Sequence, residues 1–109
     1  MTRSQMSPQE RAFRSRLAKL VHEEPILHGT LNRRYVTCGN PGCRCARGER
    51  HPALYLVYRR EGRVHQVFVP PSLEAQVRQW VGTDRAVRSM LEELSCLGVE
   101  RLQGLKRRT

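Results

Sequence analysis

Three cysteines and a histidine fall within fourteen residues, in the run Cys38-Gly39-Asn40-Pro41-Gly42-Cys43-Arg44-Cys45-Ala46-Arg47-Gly48-Glu49-Arg50-His51. Glycine, asparagine and proline make such a run turn back on itself rather than continue a helix or strand. Soft thiolates and an imidazole held this close suit a tetrahedral Zn²⁺ ion. Cys38, Cys43, Cys45 and His51 are therefore expected to ligate Zn²⁺ as a Cys3His knuckle. Cys43 and Cys45 are one residue apart, tighter than the common two-residue spacer, so a remote fourth donor, His28 or His65, is the alternative to His51. No apolar h-region precedes Gln9, which argues against a secretory signal and for a reducing, cytoplasmic setting. Clustered cysteines there serve metal or redox chemistry rather than disulfides. A redox pair is disfavoured because no Cys-x-x-Cys opens a helix. An iron–sulfur cluster would use four thiolates, and Cys96 stands far off as a small core or interface hydrophobe.

The sequence on either side places this loop in an α+β fold: an N-terminal helix, a small antiparallel sheet carrying the zinc knuckle, then a long C-terminal helix. Ser7-Pro8-Gln9-Glu10 opens the first helix, with Ser7 as cap, Pro8 in the first position and Glu10 completing a capping box. Phe13, Leu17, Leu20 and Val21 continue it at helical spacing, and Pro25 ends it near Glu24. Residues 29–37 read as a strand. Residues 54–59 and 63–69 read as a hairpin about Glu61-Gly62, with Tyr58 opposite His65, Leu56 opposite Val67 and Leu54 opposite Val69. A bulge at Gly62 would shift that register. Pro70-Pro71 stops the strand and Ser72 is positioned to cap the last helix. Its apolar stripe is Leu73, Val77, Trp80, Val87, Leu91 and Leu94, interrupted by Asp84. Gly82 predicts a bend, and Gly98 predicts fraying or a second turn. The whole of 1–109 reads as one domain: helix 7–24, zinc loop and hairpin 28–71, bent or broken helix 72–105, and a mobile basic tail 106–109.

Only 39% of the residues are hydrophobic and 6% aromatic, so the core is small and a metal or partner chain would help to stabilise it. The formal charge is +10, and all but Lys19 and Lys106 of the twenty basic residues are arginine. Guanidinium forks match phosphate oxygens and stack on bases, which points to DNA or RNA as partner. Arg33, Arg34, Arg44, Arg47 and Arg50 surround the metal loop, and Arg59, Arg60 and Arg63 cluster at the hairpin tip. These eight are the candidate phosphate contacts, against Glu49 and Glu61 as the only acids between residues 25 and 71. A charge run can equally be a solvated face. Tyr35, Tyr55 and Tyr58 offer stacking surfaces, although a small sheet needs most of its aromatics for packing. No stretch approaches the ~20 apolar residues that span a bilayer.

The combination of Arg34-Tyr35, Cys38-Gly39-Asn40-Pro41-Gly42-Cys43-Arg44-Cys45-Ala46, Gly48-Glu49-Arg50-His51-Pro52, the hairpin, and Val69-Pro70-Pro71-Ser72-Leu73 resembles a family of short bacterial and archaeal proteins, a domain of unknown function, DUF6788. The resemblance covers residues 28–97. Its specific part is the Cys-Gly-x-Pro-Gly-Cys-x-Cys core; where the family pattern often has Gly-Pro after the histidine, Pro52 here follows His51 directly. It implies the metal site and association with mobile elements, and no established reaction.

The expected function is non-enzymatic: a zinc-stabilised nucleic-acid-binding accessory protein acting with a larger machine, a transposition or CRISPR-type effector. Too few acids lie near the loop for a two-metal carboxylate site, and Glu49 is the one nearby candidate base. The alternative is an interaction or dimerisation adaptor without nucleic-acid affinity, in which the overhanging final helix forms a homodimer.

Overall fold

The computed structural model describes residues 6–37, 42–43, 48 and 50–108. In chain order they form α1 (Pro8–Glu23), β1 (Thr30–Val36), β2 (His51–Arg60), β3 (Arg63–Val69), a 3-10 turn (Pro71–Leu73) and α2 (Glu74–Arg107). The three strands make one antiparallel sheet in the order β1-β2-β3, so the chain has the expected α+β arrangement. It divides into two compact units. One is Leu27–Val81; the other joins the chain up to Ile26 with the part from Gly82 onward.

The sheet unit is built around the hairpin. Leu54 pairs with Val69, Leu56 with Val67 and Tyr58 with His65, the register expected of a two-residue turn at Glu61-Gly62. Both turn residues have positive φ, 54° at Glu61 and 77° at Gly62, the signature of a type I′ turn whose twist matches the strands it joins. β1 pairs along the other edge of β2, from Thr30 opposite Val57 to Val36 opposite His51. β2 thus begins at His51, earlier than the apolar run suggests. Pro52 is tolerated there because β3 pairs with β2 only from Leu54 onward.

Side chains alternate across a strand. One face carries Leu31, Leu54, Leu56, Tyr58 and Val69, which pack with Val77, Trp80 and Val81 at the start of α2. Burying each of these aliphatic side chains contributes about 1.5–3 kcal/mol relative to leaving it exposed. Leu27 joins this core, and its N–H donates to the Trp80 carbonyl at 3.3 Å. From there the chain enters β1 through Gly29, where a Cβ would lie 2.8 Å from the Val57 carbonyl oxygen and 2.9 Å from Leu56 Cδ1.

Ser72 does not cap α2. Pro71–Leu73 forms a 3-10 turn without a side-chain cap, Leu73 N–H donates to the Pro70 carbonyl at 2.9 Å, and α2 starts at Glu74. Leu73, expected in the apolar stripe, is exposed, and Val81 takes a core position that the 4-3 spacing passed over.

In the other unit, α1 starts as expected: Ser7 Oγ accepts the Glu10 N–H at 3.1 Å and Pro8 occupies the first turn. It ends at Glu23, and Glu24 is extended ahead of Pro25. The capping box is only half made. The buried carboxylate of Glu10 is taken by Arg101 at 3.0 Å and lies 3.8 Å from Arg14 Nε. A charge-assisted bond from a guanidinium outcompetes a return bond to the cap's own backbone. Phe13, Leu17 and Leu20 are half-buried, whereas Val21 is exposed. α2 runs unbroken past Gly82, Gly98 and Gly104 to Arg107, taking in residues expected to fray or to form a mobile tail. A lone glycine costs a helix about 1 kcal/mol, too little to stop one flanked by Leu, Glu and Arg. Asp84, the interruption in the stripe, is buried and holds Arg88 through two 3.0 Å bonds.

Candidate functional site

The loop between β1 and β2 is closed at its base by the Val36–His51 pair. As the first residue of β2, His51 has its backbone set by the ladder rather than by the loop. Its Nε2 lies 2.7 Å from Cys43 Sγ. Two of the four expected zinc ligands are thus side by side, and which of them carries the shared proton depends on the histidine tautomer. Zinc bonds of about 2.3 Å to sulfur and 2.0–2.1 Å to nitrogen would set two tetrahedral ligands about 3.5 Å apart. Cys43 and His51 would therefore part by under about 1 Å to admit the ion between them. The donor chemistry fits. Cys38, Cys45, Arg44, Arg47 and Glu49 lie outside the described residues. Among the described residues no group of three or more His, Cys, Asp or Glu gathers as a metal cluster.

The alternative donors sit elsewhere. His65 stacks on Tyr58 with ring centroids 5.2 Å apart, on the core-side face of the sheet, whereas alternation along β2 puts His51 on the opposite face. His28 lines a groove with Gly29 and Thr30 at the far end of β1.

Strand alternation also separates the arginines. Arg33 lies on the core-side face and its Nη2 contacts both carboxylate oxygens of Glu74, at 3.2 and 3.3 Å. Arg78, one turn along α2, donates to the same carboxylate at 3.0 Å. The Arg78 hydrogen bond is the strongest influence on Glu74; partial burial opposes it, Arg33 reinforces it, and the carboxyl is held below its ordinary range. Arg34 turns to the open face, where its guanidinium sits 5.4 Å from the centre of the Tyr55 ring. Arg59 shares that face. Arg60 is paired directly with Arg63 beside the turn, and all three are exposed. Like charges opposite each other in a sheet cost stability, so the hairpin end concentrates positive charge at some expense to the fold. Arg50 is exposed just ahead of β2.

Phe68 was not marked by its sequence surroundings, and Glu74 stands out there only as an acid in the first turn of α2, not as the partner of Arg33 and Arg78. Phe68 faces outward, 50% exposed, with its ring edge-to-face against Tyr55 at 5.8 Å. The odd–even pattern of β3 places it opposite Tyr55, which is the signal that could have found it.

These features describe a class: a small, arginine-rich α+β protein whose cysteine loop is closed by the first two strands of a meander. The family model described as Domain of unknown function (DUF6788) matches residues 6–79, more than half of the chain, and the chain belongs to that family. The match takes in α1 as well as the sheet and the start of α2, so it begins earlier and ends sooner than the 28–97 suggested by the motifs alone. No curated protein and no solved structure matches the chain. Among the described residues, no helix is long and apolar enough to cross a membrane.

Proposed function

We propose that this chain is a zinc-stabilised, basic nucleic-acid-binding accessory protein with a binding rather than a catalytic role. The observation that carries the reading is the charge of the sheet: β1, β2 and β3 contain five arginines and no carboxylate. With Arg33 held by Glu74, the remaining Arg34, Arg59, Arg60 and Arg63, together with Arg50, are the phosphate contacts the structure supports best. Arg44 and Arg47 extend the set through the loop on sequence grounds. Zn²⁺ held by Cys38, Cys43, Cys45 and His51 would fix that loop against the sheet, and the 2.7 Å approach of Cys43 to His51 supports this donor set. The cytoplasm is the setting this reading implies. A transposition or CRISPR-type effector is the kind of larger machine suggested by the family resemblance.

Two measurements test it. Filter binding of DNA and RNA should weaken steeply as salt rises, because each neutralised phosphate releases counterions; a flat response would overturn the reading. The purified chain should hold one zinc, and Cys43→Ser should lose it together with a large part of the thermal stability. A Cys43→Ser protein with the metal content and melting point of the parent would exclude the knuckle.

The exposed apolar residues of α2 favour a second reading. Leu91, Leu102 and Leu105 are each more than half exposed and, with Leu94, recur at helical spacing. Such a stripe suits an adaptor that forms a homodimer. It predicts a stable dimer in solution that Leu102→Glu dissociates, with no measurable nucleic-acid affinity at moderate salt.

A further inference from the structure

The sheet has a second face outside the main hydrophobic cluster, buried only at Ala53. Asn32, Arg34, Tyr55, Gln66 and Phe68 lie across it in adjacent register, Asn32 opposite Tyr55 and Tyr55 opposite Phe68. By alternation His51 and Ala53 continue this face toward the loop, while Val57, Arg59 and Val64 continue it toward the hairpin turn. Phe68 is 50% exposed and Val64 56%. At the hairpin end this face runs into a groove of about 380 Å³, lined in part by Thr30, Val57, Arg59 and Val64.

Three side chains in the middle form one assembly. Tyr55 has the Arg34 guanidinium over its ring face at 5.4 Å and the edge-on Phe68 ring at 5.8 Å. It is half-buried, and it holds both neighbours in place. What they present is a guanidinium from β1 and a half-exposed phenyl ring from β3, each set against Tyr55 on the strand between. A protein that merely covered this face would need an apolar surface, yet the same face carries Arg34 and Arg59 and no carboxylate. A ligand that satisfies both requirements has flat apolar rings joined by anionic links. Unpaired nucleobases on a phosphate backbone are that ligand: bases stack on aromatic and guanidinium planes while phosphates meet the arginines. In a duplex the base faces are already stacked on one another and are not available to Phe68 or Arg34.

We infer that the open sheet face is a stacking platform for single-stranded nucleic acid, with one base on Phe68 and a neighbouring base on Arg34, and with Tyr55 positioning both. The inference rests on the nucleic-acid reading above and narrows it to unpaired strands. Val64, Val57 and Arg59 carry the strand toward the hairpin end; at the other end it passes His51.

The test is fluorescence anisotropy with labelled twelve-nucleotide oligo(dT), oligo(U) and a mixed-sequence duplex of equal length, each over a series of salt concentrations. The parent should bind at least one of the single strands more tightly than the duplex. Phe68→Ala should weaken single-strand binding about tenfold, in line with loss of one stacked base, and leave duplex binding unchanged. Because the phenyl ring is uncharged, the slope of affinity against salt should stay the same in Phe68→Ala. In Arg34→Ala both affinity and slope should fall. Phe68→Tyr should restore binding, and Phe68→Leu, which keeps apolar bulk, should not, which separates stacking from a folding defect. An unchanged single-strand affinity in Phe68→Ala, with salt-dependent binding intact, overturns the platform and leaves the broader reading standing. No binding of any strand at about 50 mM salt overturns both. Loss of self-association in Phe68→Ala, with single-strand affinity retained, would make the face a protein interface and also overturn the inference.

Discussion

Glu74 is a single residue on which two elements depend. Arg33 reaches it from β1 and Arg78 from the next turn of α2, so the carboxylate ties the sheet to the start of the helix. Both pairs favour its ionised form, and its folded-state pKa lies below the ordinary value of about 4.5. Stability from this group is complete at neutral pH, starts to fall as the pH drops through about 4.5, and is gone once Glu74 protonates in the folded chain. Melting temperatures of the parent and Glu74→Gln should therefore differ at pH 7 and draw together as the pH falls below about 4.5; a constant gap would show that the ion pairs do not matter. The same residue explains why Arg33 and Arg34 look alike in sequence yet differ in role. Alternation separates adjacent residues onto opposite faces, but what captures Arg33 lies 41 residues away, beyond the reach of any local pattern. Gly29 is a second such position. Nothing around it in sequence marks it, and the close approach of Val57 and Leu56 is visible only in the folded chain. Gly29→Ala should destabilise the protein by about 1–3 kcal/mol, seen as a lower denaturant midpoint, because the nearest obstacle is backbone and cannot swing aside.

At the scale of elements, the hairpin was readable and the long helix only partly so. Glu61-Gly62 between two apolar alternations marks a tight turn, and its two-residue form, rather than a bulge at Gly62, sets every cross-strand pair from Arg60–Arg63 to Leu54–Val69. The turn also carries a cost, because Glu61 is held at φ 54° without a glycine's freedom. Asn tolerates that geometry better, so Glu61→Asn should raise stability by roughly 0.5–1 kcal/mol without altering the register. In α2 the glycines misled for the opposite reason: each is a penalty, not a stop signal, and the helix passes all three. A Cβ at Gly98 would meet nothing within 4 Å. Gly98→Ala should accordingly stabilise the helix by about 1 kcal/mol, read as a rise in melting temperature. The expected Ser72 cap failed because the two prolines lead into a 3-10 turn first, and α2 takes up its hydrogen bonding only at Glu74. In the cysteine loop, composition and spacing nominated the donors, and of these the described residues place only Cys43 and His51. What spacing could not show is that His51 belongs to β2 and so meets Cys43 from a position fixed by the sheet.

Across the whole molecule, the charge is uneven. Residues 27–81 hold nine arginines against three glutamates, and of those three Glu74 is already engaged by Arg33 and Arg78. The excess positive charge in the sheet unit is thus carried on strands, on the hairpin end and in the loop that His51 closes. Sequence alone could place those arginines near one another; it could not say which of them share the open face with Tyr55 and Phe68. The central claim is that this face and the hairpin end grip a nucleic-acid backbone. Its most direct test is the slope of log affinity against log salt for oligo(dT) or oligo(U), compared between the parent and a variant with Arg34, Arg59, Arg60 and Arg63 all changed to Gln. Loss of four phosphate contacts should reduce the slope by about three on a single strand, with affinity falling in step. A variant that stays folded and keeps the parent's slope and affinity would contradict the account.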